Sequence, residues 1–255
     1  MLGAYKNIYK YYMPIEKNFD KDGREYFFAA PDIKIDYTKN ADLKISQEDL
    51  MCELQLDAIG SWEALDFHLD ATKWREDQIR LKDYWRPFQP KEGIINDRDA
   101  VLLYGMEGDS PTSPAGLAQY RKVLGYIPEE GELCHPTEAA GMLTCCKEVF
   151  DYFGPLGRTF LIRLNAGGFY PRHRDHLLLN RDTFRLIAFL GDSQDNLEWE
   201  VAGQVKTFLP NTVYYVDTRK MHRLSSWQPN SAMVVMNVHK TWVNVLKVLT
   251  SLKHR

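Results

Sequence analysis

The stretch Arg158-Thr-Phe-Leu-Ile-Arg-Leu164, Asn165-Ala-Gly-Gly168, Phe169-Tyr-Pro-Arg-His173, Arg174 and Asp175 decides how this chain is read. An apolar run, a glycine turn and a second short run deliver His173 and Asp175 as a His-x-Asp pair, and His222 follows further on. Two imidazoles and one carboxylate occupy one face of an octahedral ferrous ion and leave the opposite positions for small ligands. That pattern points to a metal centre with open coordination sites. The competing reading explains each residue separately: a strand-end histidine, a turn-forming aspartate and a half-buried cross-strand histidine.

Outward from this stretch, apolar or alternating segments run 159–164, 168–173, 184–190, 196–201, 204–209, 212–216, 220–225 and 231–238. Turn residues separate them: Asn165 to Gly168, Gly191-Asp192-Ser193, Ala202-Gly203, Pro210-Asn211, Asp217-Thr218 and Pro229-Asn230. Regularly spaced short strands of this kind predict a double-sheet jelly roll. His173 then closes the second strand and His222 lies on the seventh, so folding one sheet over the other brings them to one mouth. The expected fold class is mainly β with flanking helices around a double-stranded β-helix (jelly-roll, cupin-like) core.

Leu161 to Asp175, followed by Asn180 and then Arg185-Leu-Ile-Ala-Phe-Leu190, resembles the aspartyl/asparaginyl β-hydroxylase-like branch of the iron(II)/2-oxoglutarate-dependent oxygenases. The shared features are a glycine turn before a proline and histidine, an Asn and Arg just beyond, and a distal histidine on a late strand. The resemblance covers residues 158–238 and implies Fe(II) held by His173, Asp175 and His222, with 2-oxoglutarate and O2 as cosubstrates. It implies hydroxylation of a C–H bond of an amino acid or peptidyl side chain, with release of succinate and CO2. Many relatives carry an arginine about ten residues past the distal histidine to pair with the far carboxylate of 2-oxoglutarate. Here that position is Ala232. Either the anchor comes from elsewhere or the cosubstrate is different.

Arg185 is the first candidate anchor, because an arginine heading a buried apolar strand needs an anionic partner; an internal pair with Glu198 or Glu200 is the alternative. Arg163, inside another apolar strand, is the second. Asn180 and Asn237 could add hydrogen bonds to the cosubstrate. Arg172, Arg174 and Arg223 cluster beside the ligands in sequence and are candidates for greeting an anionic substrate, against the plainer reading as solvated charges. His176 is read as exposed or supporting.

The chain has 255 residues and a formal net charge of −3, with no basic run to neutralise successive phosphates, so duplex nucleic acid is not an expected partner. Cys52, Cys134, Cys145 and Cys146 form neither a metal spacing nor a disulfide framework and read as reduced thiols. No signal-like or membrane-length apolar run is present, so the expectation is a soluble, cytoplasmic protein without a membrane partner. Oligomeric state is open.

The chain is read as one domain: 1–157 a mixed α/β layer, 158–239 the jelly-roll core, 240–255 a closing helix. In the first part, 26–30 and 33–37 are candidate strands and 47–59 is a helix or a strand. Trp62, Trp74 and Trp85 are read chiefly as packing that layer on the sandwich. His68 and Asp70 form a second His-x-Asp, but no glycine turn precedes it and no strand ladder follows, so it is not read as a metal site. Residues 100–104 predict a strand, 105–114 a lid or connector, 117–124 a short helix, 136–153 a longer one ended by Gly154-Pro155, and 241–252 an amphipathic helix. Besides an oxygenase, two classes stay open: a cupin-type metal enzyme such as an isomerase, and a binding jelly roll with a vestigial site.

Overall fold

The computed structural model describes residues 46–88, 98–175, 182–191 and 196–253, together with two paired strands, β1 (Asn18–Phe19) and β2 (Glu25–Tyr26). The remainder of the candidate strands at 26–30 and 33–37, and also His176 and Asn180, lie outside the described residues. The first helix, α1 (Gln47–Ile59), starts where the Ser46 hydroxyl accepts from the Asp49 amide at 3.0 Å, and that cap decides the open choice at 47–59 in favour of helix. After it come β3 (Trp62–His68) and α2 (Ala71–Leu81). Asp70 caps α2, its carboxylate accepting from the Thr72 and Lys73 amides, so the aspartate of the second His-x-Asp pair has a structural task.

β4 (Arg86–Pro87), β5 (Arg98–Gly105), α3 (Leu117–Leu124) and β6 (His135–Pro136) follow. The single helix expected over 136–153 is instead two, α4 (Glu138–Met142) and α5 (Lys147–Phe153), joined by a 3-10 turn at Thr144–Cys146. The reason is Asp77, fully buried on α2. It accepts from the Cys145 amide and the Thr144 hydroxyl, both at 2.8 Å, and from Arg80. A buried carboxylate without donors costs several kcal/mol, on the order of more than one helical turn contributes, so the chain leaves the helix to supply them.

The eight expected core strands all form: β7 (Thr159–Leu164), β8 (Phe169–His173), β9 (Thr183–Leu190), β10 (Leu197–Val201), β11 (Gln204–Lys206), β12 (Thr212–Val216), β13 (His222–Ser226) and β14 (Ser231–His239). They sort into two antiparallel sheets in jelly-roll order. The larger runs β3-β12-β9-β14-β7-β5-β4, with β6 also on β5, and the smaller runs β11-β10-β13-β8. The amino-terminal segment therefore extends the larger sheet at both edges instead of only covering it. The final helix, α6 (Trp242–Thr250), is capped by Thr241 and packs beside α1.

Strand alternation divides the apolar residues into two layers. Between the sheets lie Ala100, Leu102, Phe160, Ile162, Ile187, Phe189, Trp199, Leu224 and Met233. On the other face of the larger sheet, Val101, Leu103, Leu161, Leu186, Ala188 and Val234 meet the helices. Trp62 stacks on Tyr214 at 4.9 Å in the first layer, Trp74 is buried in the second, and Trp85 lies under Arg163, so all three rings are packing residues. The stretch after β5 is a pinned connector. Pro111 accepts from the Leu102 amide, Asp109 from the Tyr120 hydroxyl, and Ala115 from Arg158.

Candidate metal centre

His173 ends β8 and His222 begins β13, and the two strands pair with these residues directly opposite each other. Their ring centres are 4.3 Å apart. Between this pair and the Leu224–Tyr170 pair, β8 carries one residue more than β13. Without that bulge, Tyr170 and His173, three apart, would point to opposite faces; with it, both enter the sandwich. Pro171 sits in the bulge, where a missing amide hydrogen costs little. Asp175 lies just past the strand, fixed by its amide donating to the Thr218 carbonyl at 2.9 Å.

One ligand atom from each of His173, Asp175 and His222 lies within 4.8 Å of the others. Both imidazoles are oriented by main-chain carbonyls: His173 Nδ1 donates to Pro171 O at 2.6 Å and His222 Nδ1 to Lys220 O at 3.0 Å. In each ring the nitrogen not engaged by the main chain is therefore Nε2. His222 is 4 % exposed and lies flat against Trp199. Burial, only partly opposed by Asp175, pulls its imidazole down to about 4, so it is neutral at ordinary pH. Burial pushes the Asp175 carboxyl up, but Arg185 and the two imidazoles outweigh it and hold the group well below the usual carboxylate range. Two imidazole nitrogens and an ionised carboxylate converging at one mouth fit a divalent transition metal.

Arg185, on β9, reaches this mouth and is fully engaged there. It donates to Asp175, to Asn237 Oδ1 at 3.1 Å and to Glu130 Oε1 at 3.4 Å. The acidic partners are thus Asp175 and Glu130, not Glu198 or Glu200. Asn237 is its register partner on β14 and donates to the Arg158 carbonyl. Behind them, Arg158 makes a two-pronged pair with Glu130, at 2.6 and 2.7 Å, with both side chains buried. Arg158 and Glu130 escaped the sequence reading: a strand-leading arginine and an acid in a polar loop carry no local signal of meeting.

The other candidate arginines lie elsewhere. Arg163 shares the helix-covered face with Leu161, donates to Asp99 at 2.8 Å and lies over Trp85, with the larger sheet between it and the triad. It is not placed to hold a ligand of the metal. Arg172 and Arg223 meet on Glu200, and Arg223 also reaches Glu198 at 2.8 Å; Glu198 and Glu200 alternate with the inward Leu197, Trp199 and Val201, so these pairs lie on the outer face of the smaller sheet. Arg174 is exposed at the rim.

No protein-family model and no curated protein matches this chain. Among solved structures, the chain is similar to a 2OG-Fe(II) oxygenase family oxidoreductase from Burkholderia pseudomallei, with 16% identity over 75% of this chain and 90% of that one, at a TM-score of 0.44. It is similar to a Pseudomonas putida prolyl-4-hydroxylase, with 13% identity, 74% and 98% coverage and a TM-score of 0.40. A third similar structure is a Trichoplax adhaerens prolyl hydroxylase in complex with a hypoxia inducible factor peptide fragment, with 12% identity, 84% and 97% coverage and a TM-score of 0.40. None of these names points to the aspartyl/asparaginyl branch. Among the described residues, no helix is long and apolar enough to cross a membrane.

Proposed function

We propose that this protein is an iron(II)- and 2-oxoglutarate-dependent oxygenase that hydroxylates an amino acid or a peptidyl side chain. The observation that carries the reading is the triad itself: both Nδ1 atoms are spent on carbonyls and both Nε2 atoms converge with an ionised carboxylate at the mouth of a jelly roll. His173, Asp175 and His222 would hold the iron. When bound, iron(II) and 2-oxoglutarate supply the oxidising chemistry, with dioxygen consumed, succinate and CO2 released and one oxygen atom delivered to a substrate C–H bond.

The protein residues supply orientation and charge. Arg185 draws one Asp175 oxygen toward itself, which fixes the direction in which the carboxylate presents the other. Asn237 accepts from Arg185 Nε and steadies its guanidinium beside Asp175, and both residues would contact the cosubstrate. Trp199 shields one face of His222 from water. The assignment to the aspartyl/asparaginyl β-hydroxylase-like branch rests on the resemblance of 161–190 alone.

The test is anaerobic titration of 2-oxoglutarate into iron-loaded protein, read by the weak visible metal-to-ligand charge-transfer band. The band is expected in the wild type, absent in His173→Ala and weakened in Arg185→Ala. Bound iron with no band in the wild type would overturn the cosubstrate reading and leave the isomerase-type alternative.

A further inference from the structure

Two of the three metal-site residues are oriented by one turn. Between β12 and β13, Asp217, Thr218, Arg219 and Lys220 form a turn that the Lys220 amide closes by donating to the Asp217 carbonyl at 3.1 Å. The Thr218 carbonyl accepts from the Asp175 amide at 2.9 Å, and the Thr218 hydroxyl donates to the Asp175 carboxylate. Two residues on, the Lys220 carbonyl accepts from His222 Nδ1 at 3.0 Å. His173 is held separately, by the Pro171 carbonyl of its own strand. A shift of the turn therefore moves Asp175 and His222 together and leaves His173 in place.

What holds the turn is buried charge. Asp217 is 3 % exposed, and its carboxylate accepts from the Arg219 amide at 3.1 Å and from Arg219 Nε at 2.7 Å, which compensates the desolvated charge. The other guanidinium nitrogens of Arg219 donate to Glu53 and, at 2.5 Å, to Asp57, which stand one helical turn apart on α1. The Asp217 amide donates to the Ser61 carbonyl, just beyond that helix, at 3.0 Å. The first and third residues of the turn are thus fastened to the segment that carries α1, and the second and fourth reach the metal ligands. Thr218 is as buried as Asp217, so solvent does not replace its bond to Asp175 when the hydroxyl is removed.

We propose that this turn is the positioning device of the metal centre, with Thr218 and Arg219 as positioning residues: Thr218 aims the Asp175 carboxylate, and Arg219 fixes the turn that presents both Asp175 and His222. This rests on the metal-binding part of the oxygenase reading and is independent of the cosubstrate and substrate that the site takes. Neither residue is a ligand; both act through one. Arg185 holds the same carboxylate at Oδ2, while Oδ1 lies 3.6 Å from His173 Nε2, so Arg185 and Thr218 together restrict the carboxylate's rotation. By this route α1, which lies outside the eight-stranded roll, bears on the affinity for metal. In the sequence these residues signal no more than a break between two strands.

The test is cobalt(II) binding to the metal-free protein by calorimetry, alongside urea unfolding of the same metal-free variants. Thr218→Val, which keeps the shape and removes the hydroxyl, is expected to weaken binding about 10-fold, and Arg219→Gln, which leaves Asp217 without its cation, about 10- to 100-fold. Thr218→Ser restores the hydroxyl and is expected to restore the affinity. Phe153→Leu, a change in the core beneath α5 that leaves the turn untouched, is expected to lower stability without moving the affinity. Lower stability in Thr218→Val and Arg219→Gln at wild-type cobalt(II) affinity would mean that the turn is only structural, and would overturn the proposal. So would an affinity that falls equally in Phe153→Leu, since binding would then follow stability, or a Thr218→Ser variant that binds no better than Thr218→Val. If Arg219→Gln does not fold, the two Thr218 variants decide. With the affinities as expected, absence of the charge-transfer band with iron and 2-oxoglutarate removes the cosubstrate reading and keeps this proposal; a wild type that binds no cobalt(II) removes both.

Discussion

A ring nitrogen that donates to a carbonyl is not available to a metal, and in both His173 and His222 that nitrogen is Nδ1, so the site is set before any ion arrives. The same logic runs one layer out, where Glu130 grips Arg158 and touches Arg185, which in turn holds Asp175. Glu130→Gln leaves the buried Arg158 cation without its counter-charge and is expected to cost about 3 kcal/mol of stability, measured by urea unfolding. Replacing both Glu130 and Arg158 by methionine removes the unpaired charge and is expected to cost much less. A double variant as unstable as the single one would mean that the pair contributes packing and main-chain bonds instead of charge compensation. The triad was legible because its three residue types sit at strand ends that turn chemistry defines. Glu130 was not, because its meeting with Arg158 is made by the fold across a loop that has no periodicity.

The elements tell the same story at larger spacing. Each of β7 to β14 could be placed from alternation and turns, since a strand with one face between sheets must alternate, and α3 from its short amphipathic run. The helix break at Leu143 was hidden, since it answers to Asp77 on another helix and nothing local signals it. The β8 bulge was hidden too, and it is what lets Tyr170 and His173, three residues apart, face the same way. Deleting Arg172, an outward residue within it, restores a regular ladder in which His173 follows Tyr170 by two positions and keeps both its inward face and its place opposite His222. The expected outcome is cooperative thermal unfolding with cobalt(II) binding retained. Lost binding would show that the bulge sets the ligand geometry itself and not only the face that His173 takes.

Across the whole molecule, ion pairs tie the helices to the strand ends and turns. α1 is tied to the turn leading into β13 by Arg219, which pairs with Glu53, Asp57 at 2.5 Å and Asp217 at 2.7 Å, while Lys240 at the end of β14 also meets Glu53. Next to Lys240, whose amide donates to the Asp182 carbonyl, the Asp182 carboxylate accepts from the Gly131 amide at 2.9 Å, an approach that suits glycine because a Cβ there would fall 2.3 Å from the carboxylate. Burial, and then the carboxylates of Glu129 and Glu130, push the Asp182 carboxyl from 3.8 to about 7. Between those values the folded protein keeps a proton that the unfolded chain has released. The associated stability is therefore fully present below about pH 4 and is lost as pH rises through about 7, a difference of up to about 4 kcal/mol. His222 acts in the opposite sense: its value falls from 6.5 to about 4, so stability in the metal-free protein is gained as pH rises across that window. The two slopes offset one another between about pH 4 and 6.5. Asp182→Asn, which keeps an acceptor for Gly131 and removes the proton, should leave only the rising slope. Urea unfolding of chelator-treated protein at a series of pH values should then show stability climbing more steeply toward neutrality than in the wild type, and superimposable pH profiles would show that Asp182 is ionised in the folded protein throughout.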